Sequence, residues 1–275
     1  MGKIESYVPG SFCWAELATT DPEGAKKFYA EMFDWTATDM PSPGGMYTIF
    51  QCEGNDAAAM YGGRPDVPPH WGVYFSVSDV NESAAKVAPA GGTILAGPFD
   101  VMDAGRMATA KDPQGAVFSL WQAKRNIGAT HGGPLNMVCW PELATTDPAG
   151  AVKFYSGIFG WKTKPETGVE GAEYVEWING QQAMGGLMPM RGEQWKGVPP
   201  HWMMYVSVAD CDERAAKARQ LGATICVPPT DIPNVGRFSV ITDAQGAVFF
   251  SHSSPIFSPD GSAEGGLPSW PRTSS

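Results

Sequence analysis

The sequence predicts an α+β chain built from four βαβββ units in tandem. Three observations lead there. A long internal repeat divides the chain, a strand–Asp–helix start occurs twice in each copy, and the strands after each helix are short and punctuated by Gly and Pro.

The repeat is explicit. "CWAELATTDP" from Cys13 returns as "CWPELATTDP" from Cys139, 126 positions on and alike in nine of ten letters. "DPEGAKKFYAEMFDW" (21–35) returns as "DPAGAVKFYSGIFGW" (147–161), and "VPPHW" stands at 67–71 and 198–202. "GPFDVMDAGR" (97–106) is answered by "PPTDIPNVGR" (228–237), and "DPQGAVF" (112–118) by "DAQGAVF" (243–249). The offset grows to 131, so the second copy gains five residues in the stretch matching 36–66. Copy one spans 8–123 and copy two 134–255, with AKRNIGATHGGP between them and a Gly/Pro/Ser-rich, flexible tail at 256–275.

Within each copy the elements follow in order. A strand over 13–20 runs into Thr20-Asp21-Pro22, where Thr or Asp can cap a helix and Pro suits its first turn. Ala25, Phe28, Tyr29, Met32 and Phe33 then recur at helical spacing. A strand over 71–78 leads into Ser78-Asp79, and Ala84, Ala85 and Val87 carry a helix that Gly91-Gly92 ends.

Composition narrows the function classes. The net charge of -10 repels nucleic-acid phosphates and anionic lipid heads, so neither nucleic acid nor membrane is an expected partner. No apolar run approaches ~18 residues and the N-terminus carries no apolar leader, which predicts a soluble, cytoplasmic protein. Five Cys, none spaced as CxxC, argue against a disulfide framework or a thiolate zinc site. Cys13 and Cys139 read as small buried hydrophobes. No phosphate-binding loop, Walker motif or GxSxG elbow is present.

Strand alternation separates two faces. Over 70–77, Trp71, Val73, Phe75 and Val77 form the face expected under the helices, with Leu17, Leu143, Cys13 and Cys139 on the same side. His70, Gly72, Tyr74 and Ser76 form the other face, matched by His201, Met203, Tyr205 and Ser207. Trp14 and Glu16, and Trp140 and Glu142, share that second face on the opening strands.

The pattern CWxELxTTDP…KFYxxxFxW…PPHW…GR…DPQGAVF resembles the vicinal oxygen chelate superfamily of glyoxalase I, bleomycin resistance proteins and extradiol dioxygenases. Within it, the pattern resembles the tandem glyoxalase-like proteins of bacteria, the mycobacterial antigen type among them. The resemblance implies that the βαβββ units pair into two tandem glyoxalase-like barrels, each curling a sheet into a cup. It places the family's metal ligands at Trp14, Gly72 and Ser119 in copy one and at Trp140, Met203 and Phe250 in copy two. Trp, Gly, Met and Phe do not ligate a catalytic metal in this kind of site. No cofactor is therefore expected, and a divalent metal is the alternative.

Each cup should then hold a Trp, a Glu, a His and a Tyr. Counting register about a pseudo-twofold axis puts Glu16 opposite His70 and Glu142 opposite His201. Such a pair can do acid–base work on a bound molecule, or it can be a satisfied polar pair closing the barrel seam. Trp14, Tyr74, Trp140 and Tyr205 are candidate ligand walls or barrel filling. Arg106 and Arg237 would bind a ligand carboxylate or phosphate if they point inward, or would pair with Asp100 and Asp231. The expected function is binding of a small organic molecule in a metal-free cup, for sequestration or a simple lyase or isomerase step. The alternatives are a metal-dependent lyase or dioxygenase with Glu16, His70, Glu142 and His201 as displaced ligands, and a non-enzymatic scaffold. Gly72 and Ser119 against Met203 and Phe250 make the first cup the roomier. A monomer or a homodimer suits a chain that carries both barrels.

Overall fold

The computed structural model describes residues 3–132, 135–165, 174–233 and 235–254. Copy one runs β1 (Phe12–Thr19), α1 (Pro22–Phe33), β2 (Thr36–Ser42), β3 (Gly45–Cys52), β4 (Asn55–Gly62), β5 (His70–Ser76), α2 (Val80–Val87), β6 (Thr93–Val101), β7 (Gly105–Lys111) and β8 (Val117–Ala123). Copy two repeats it as β9 (Val138–Thr145), α3 (Pro148–Phe159), β10 (Lys162–Pro165), β11 (Val175–Asn179), β12 (Gln182–Pro189), β13 (His201–Ser207), α4 (Cys211–Gln220), β14 (Thr224–Ile232), β15 (Gly236–Thr242) and β16 (Val248–Ser253). These are the four expected βαβββ units. The expected flexible tail lies outside the described residues.

Each copy forms one eight-stranded sheet, in the orders β2-β3-β4-β1-β5-β8-β7-β6 and β10-β11-β12-β9-β13-β16-β15-β14. The two opening strands of a copy lie side by side and antiparallel at the sheet centre, and each pairs in parallel with the last strand of its own unit. The five extra residues of copy two fall in two places. Ala59 and Gly186, the partners of Glu16 and Glu142, are 127 apart, so one residue precedes β12 and four enter the loop before β13. That loop carries a short helical turn, Glu193–Trp195.

The helices start where the sequence places them. Asp21 caps α1, its Oδ1 accepting from the Gly24 amide at 3.0 Å, and Asp147 does the same for Gly150. Asp79 and Asp210 cap the second helix of each copy. Helix α1 leaves through Asp34 at φ 57°, a left-handed turn that Gly160 makes in the other copy.

The buried faces of α1 and α3 lie between the two sheets. Phe28, Tyr29 and Phe33 pack on Phe249 of the other copy with ring centroids 5.6–6.1 Å apart. Phe75 meets Phe159, Trp161 and Trp202 at 5.0–5.3 Å. One apolar core therefore spans both copies. Among the described residues no helix is long and apolar enough to cross a membrane.

Hydrogen bonds lock this core reciprocally. The Trp71 indole donates to the Tyr29 hydroxyl (2.9 Å), which donates to Asp243 Oδ2 of the other copy (2.8 Å). Trp202 donates to Tyr155 (2.9 Å), which donates to Asp112 Oδ2 (3.1 Å). The remaining oxygen of each Asp accepts from three amides of its own turn, 114–116 or 245–247. Trp35 and Trp161 add a matched pair, donating to the carbonyls of Asn136 and Gly10 just before the opening strand of the other copy.

Replacing Tyr29 or Tyr155 by Phe leaves a buried carboxylate oxygen and an indole N–H without partners. Each substitution should lower the unfolding free energy by about 2–4 kcal/mol in urea titrations, with both copies still melting in one transition. A loss below about 1 kcal/mol would show that these bonds contribute little.

Candidate functional site

The outward face of each sheet carries a carboxylate held between tyrosines. On β1, Trp14 and Glu16 point to this face, opposite Tyr74 and Gly72 of β5. Tyr47 reaches the same place from β3, where Ile49, Ala59 and Glu16 lie in one row across the sheet. The Tyr47 hydroxyl donates to Glu16 Oε1 at 2.6 Å and accepts from Trp14 Nε1 at 3.1 Å. The Tyr74 hydroxyl donates to Glu16 Oε2. Copy two repeats the arrangement. Tyr174, just before β11, donates to Glu142 Oε2 (2.8 Å), Tyr205 donates to Oε1 (3.0 Å), and Trp140 Nε1 donates to Tyr174 (3.0 Å).

Burial among these rings disfavours the carboxylate charge, and the tyrosine bonds only partly compensate. Glu16 is raised above its ordinary 4.5, and Glu142 is raised to about 7. The tyrosines are pushed well above 10 by burial and by the neighbouring carboxylate, so they remain donors. A third hydroxyl, Tyr61, faces Glu16 in the first cup, and its pKa is also raised, by burial and by the Glu16 charge.

The two histidines lie elsewhere than expected. Glu16 pairs with Gly72 and Glu142 with Met203, whereas His70 and His201 oppose Ala18 and Ala144. The register is displaced by two residues from the twofold count. A two-residue slip keeps every side chain on its face, so alternation could not reveal it. Each His Nδ1 lies 2.8 Å from a carbonyl of its own loop, that of Pro68 or Pro199.

Arg106 and Arg237 lie on the opposite face, not in the cups. Arg106 bonds Asp100 and Asn81, and Arg237 bonds Asp212 and Asp231. Cys139 lies at an irregularity of β9. It stands where β9 bulges against Tyr205–Val206, and it touches the Met203, Tyr205 and Phe250 cluster while lying near Cys211 of α4. Burial pushes its thiol up to about 12 and raises that of Cys13, so neither is a nucleophile at neutral pH.

The tyrosines at 47, 61 and 174 were missed by the sequence reading. Tyr47 and Tyr174 recur 127 apart in "YTIF" and "YVEW". That signal was readable, but it lies in the stretch where inserted residues break the repeat's register.

The cups differ in access. Glu16 is half-buried, whereas Glu142 is 4 % exposed. On the same face as Glu142, Met203 and Phe250 belong to an apolar cluster that takes in Phe238 and Val240, with Met190 and Trp195 from the longer loop. The first cup has Gly72, Ser119, Met107 and Thr109 at the four strand positions. A Cβ on Gly72 would meet nothing nearer than the Glu16 carbonyl at 3.6 Å, so no neighbouring side chain fills the space.

The described residues hold no group of three or more His, Cys, Asp and Glu able to bind a metal ion. The positions the resemblance assigns to ligands carry Trp, Gly, Ser, Met and Phe, and both oxygens of each cup glutamate accept tyrosine hydroxyls. This donor set does not fit a catalytic divalent metal.

The model of the Glyoxalase/Bleomycin resistance protein/Dioxygenase superfamily matches residues 11–120 and 136–249. The chain belongs to this superfamily. It is 41% identical over 257 residues to "Putative glyoxylase CFP32" of Mycobacterium tuberculosis (strain CDC 1551 / Oshkosh), covering 90% of this chain and 97% of that one. It is 33% identical to the "Anthracycline biosynthesis protein DnrV" of Streptomyces peucetius, covering 88% and 93%. In structure it is similar to a Mn(II)-bound glyoxalase from Novosphingobium aromaticivorans, with TM-score 0.63, 14% identity and coverage of 89% and 82%. It is also similar to the 2,3-dioxygenase LapB from Pseudomonas sp. KL28, with TM-score 0.63, 12% identity and coverage of 96% and 95%. At these identities the two structures share the superfamily fold with this chain, and nothing narrower follows from them.

The raised Glu142 has a stability signature. Its folded pKa exceeds its unfolded one, so its contribution is fully present below about 4.5 and is lost as pH rises towards about 7. The rise corresponds to roughly 3 kcal/mol. Glu142→Gln should therefore gain roughly that much on the wild type between pH 4.5 and 7.5 in urea unfolding. A difference that does not change with pH would refute the assignment.

Proposed function

We propose that the chain binds a small, flat organic molecule in its first cup without a metal, and that Glu16 takes up or returns a proton there. The observation that carries this is the contrast between the cups. The same tyrosine-held carboxylate is buried beside the Met203, Phe250 and Trp195 cluster in copy two, and is half-buried beside Gly72 and Ser119 in copy one. A concave, mainly aromatic surface with a few convergent polar groups suits a small ligand. Trp14, Tyr74 and Trp121 supply the walls, and Glu16, Tyr47 and Tyr61 the polar end.

The similarity to DnrV supports a planar polycyclic ligand, since anthracyclines are fused-ring hydroxyquinones. Binding alone would sequester such a molecule. A second reading, proton transfer in a lyase or isomerase step, is favoured by the raised Glu16, whose carboxyl can exchange a proton closer to neutrality than an ordinary one. His70, exposed on the cup face one pair beyond Glu16, is placed to exchange protons with solvent in that case. Each cup is built within one copy, so a monomer suffices.

Quenching of tryptophan fluorescence by hydroxyanthraquinones tests the reading. Gly72→Met combined with Ser119→Phe copies the second cup's filling and should weaken binding at least ~30-fold. Met203→Gly with Phe250→Ser in the second cup should leave the first cup's affinity unchanged and lower stability by about 4 kcal/mol or more. Binding that survives the first pair, or disappears after chelation, would sink the proposal.

A further inference from the structure

We infer that the ligand of the first cup is an elongated planar molecule with hydroxyl or carbonyl oxygens at opposite ends, one end held at Glu16 and the other at a hydroxyl pair formed by Thr109 and Ser119. This rests on reading the first cup as the binding site.

Strands β1, β5, β8 and β7 are consecutive neighbours, and Trp14, Tyr74, Ser119 and Thr109 form one row across their outward face. Glu16 and Gly72 begin the adjacent row. With strands about 4.8 Å apart, Ser119 lies about 10 Å and Thr109 about 14 Å from β1 along the sheet, less the curl. Gly72 lies between the two ends and leaves the floor open. The polar groups therefore stand apart by the length of a linear tricyclic frame, with aromatic surface between them.

The hydroxyl pair has bonding capacity to spare. The Thr109 and Ser119 oxygens lie 3.2 Å apart, and either can donate. Two hydroxyls that share one bond keep one hydrogen and several lone pairs for a third partner. In copy two the same positions are Val240 and Phe250, which pack in the apolar cluster. The fold thus tolerates apolar residues there, and the partly buried polar pair of copy one is not needed to build the sheet. At the other end each Glu16 oxygen takes one tyrosine bond and can accept another from a ligand hydroxyl.

Charge narrows the class. Both candidate arginines face away and are paired with aspartates, and a carboxylate occupies the cup. A ligand that donates through a neutral hydroxyl suits Glu16, whereas a carboxylate or phosphate ligand would be repelled. The structure points to a dihydroxylated fused-ring quinone or a molecule of that shape.

Titrations with anthraflavic acid, which carries hydroxyls at opposite ends of a linear tricyclic quinone, and with unsubstituted anthraquinone test this. The wild type should bind anthraflavic acid at least about tenfold more tightly. Thr109→Val and Ser119→Ala should each weaken anthraflavic acid about five- to tenfold and leave anthraquinone unchanged, which also shows that the cup remains folded. Equal affinity for the two quinones, or no effect of either substitution on anthraflavic acid, overturns the inference while Gly72→Met still abolishes binding. If neither quinone binds, or both bind undiminished to Gly72→Met, the reading of the first cup as the site fails with it.

Discussion

Two buried hydroxyls, those of Tyr29 and Tyr155, set the geometry on which everything else depends. Each receives an indole hydrogen from its own copy and gives its own hydrogen to an aspartate of the other. The aspartates also hold the turns that feed β8 and β16, so the last strand of each unit starts from a point fixed by the other copy. A buried carboxylate without donors would be costly. Here each has four, and the fold cannot complete either set within one copy. The repeated KFY, the Trp of PPHW and the Asp of D-x-QGAVF thus encode the contact between copies, while the His of PPHW lies on the cup face.

That contact decides which way the cups face. With α1 and α3 between the sheets, the helix-side residues of β5, β8, β13 and β16 are consumed by one aromatic core. The opposite faces turn outward, away from each other. Each cup carries the same glutamate between two tyrosines, positioned by a tryptophan whose indole bonds one of them. Trp14 occupies a position that the resemblance gives to a metal ligand, and in this chain it orients Tyr47. The polar groups of each cup form one side-chain network, in which burial raises the carboxylate pKa and the tyrosine hydroxyls partly offset it.

Much of this was legible in the letters. The repeat and the Asp-led helices gave the four units, and alternation put Trp14, Glu16, His70 and Tyr74 on one face, as the strands confirm. What alternation could not supply was register, because a slip of two preserves the face. His70 was therefore placed against Glu16, and Tyr47, which holds that carboxylate, was overlooked. The arginines at 106 and 237 were open between two roles. Their partners on the helix side, Asn81 and Asp212, come close only once α2 and α4 are folded against the sheet. Side-chain partners that meet across a sheet or across copies are set by packing, which local sequence does not contain.

The difference between the cups follows from the same constraint. Because the copies share one core, stability gained in either supports both. In copy two, Met203, Phe250, Met190 and Trp195 cluster on the glutamate's face and bury apolar surface, each large side chain worth roughly 1.5–3 kcal/mol when fully enclosed. In copy one, Gly72, Ser119 and Thr109 stand at those positions and forgo that burial. The burial forgone in copy one is offset by the filled neighbour locked to it through Tyr29 and Tyr155. A chain that carries both copies can therefore fill its two cups differently, a division that two identical chains in a symmetric dimer could not make.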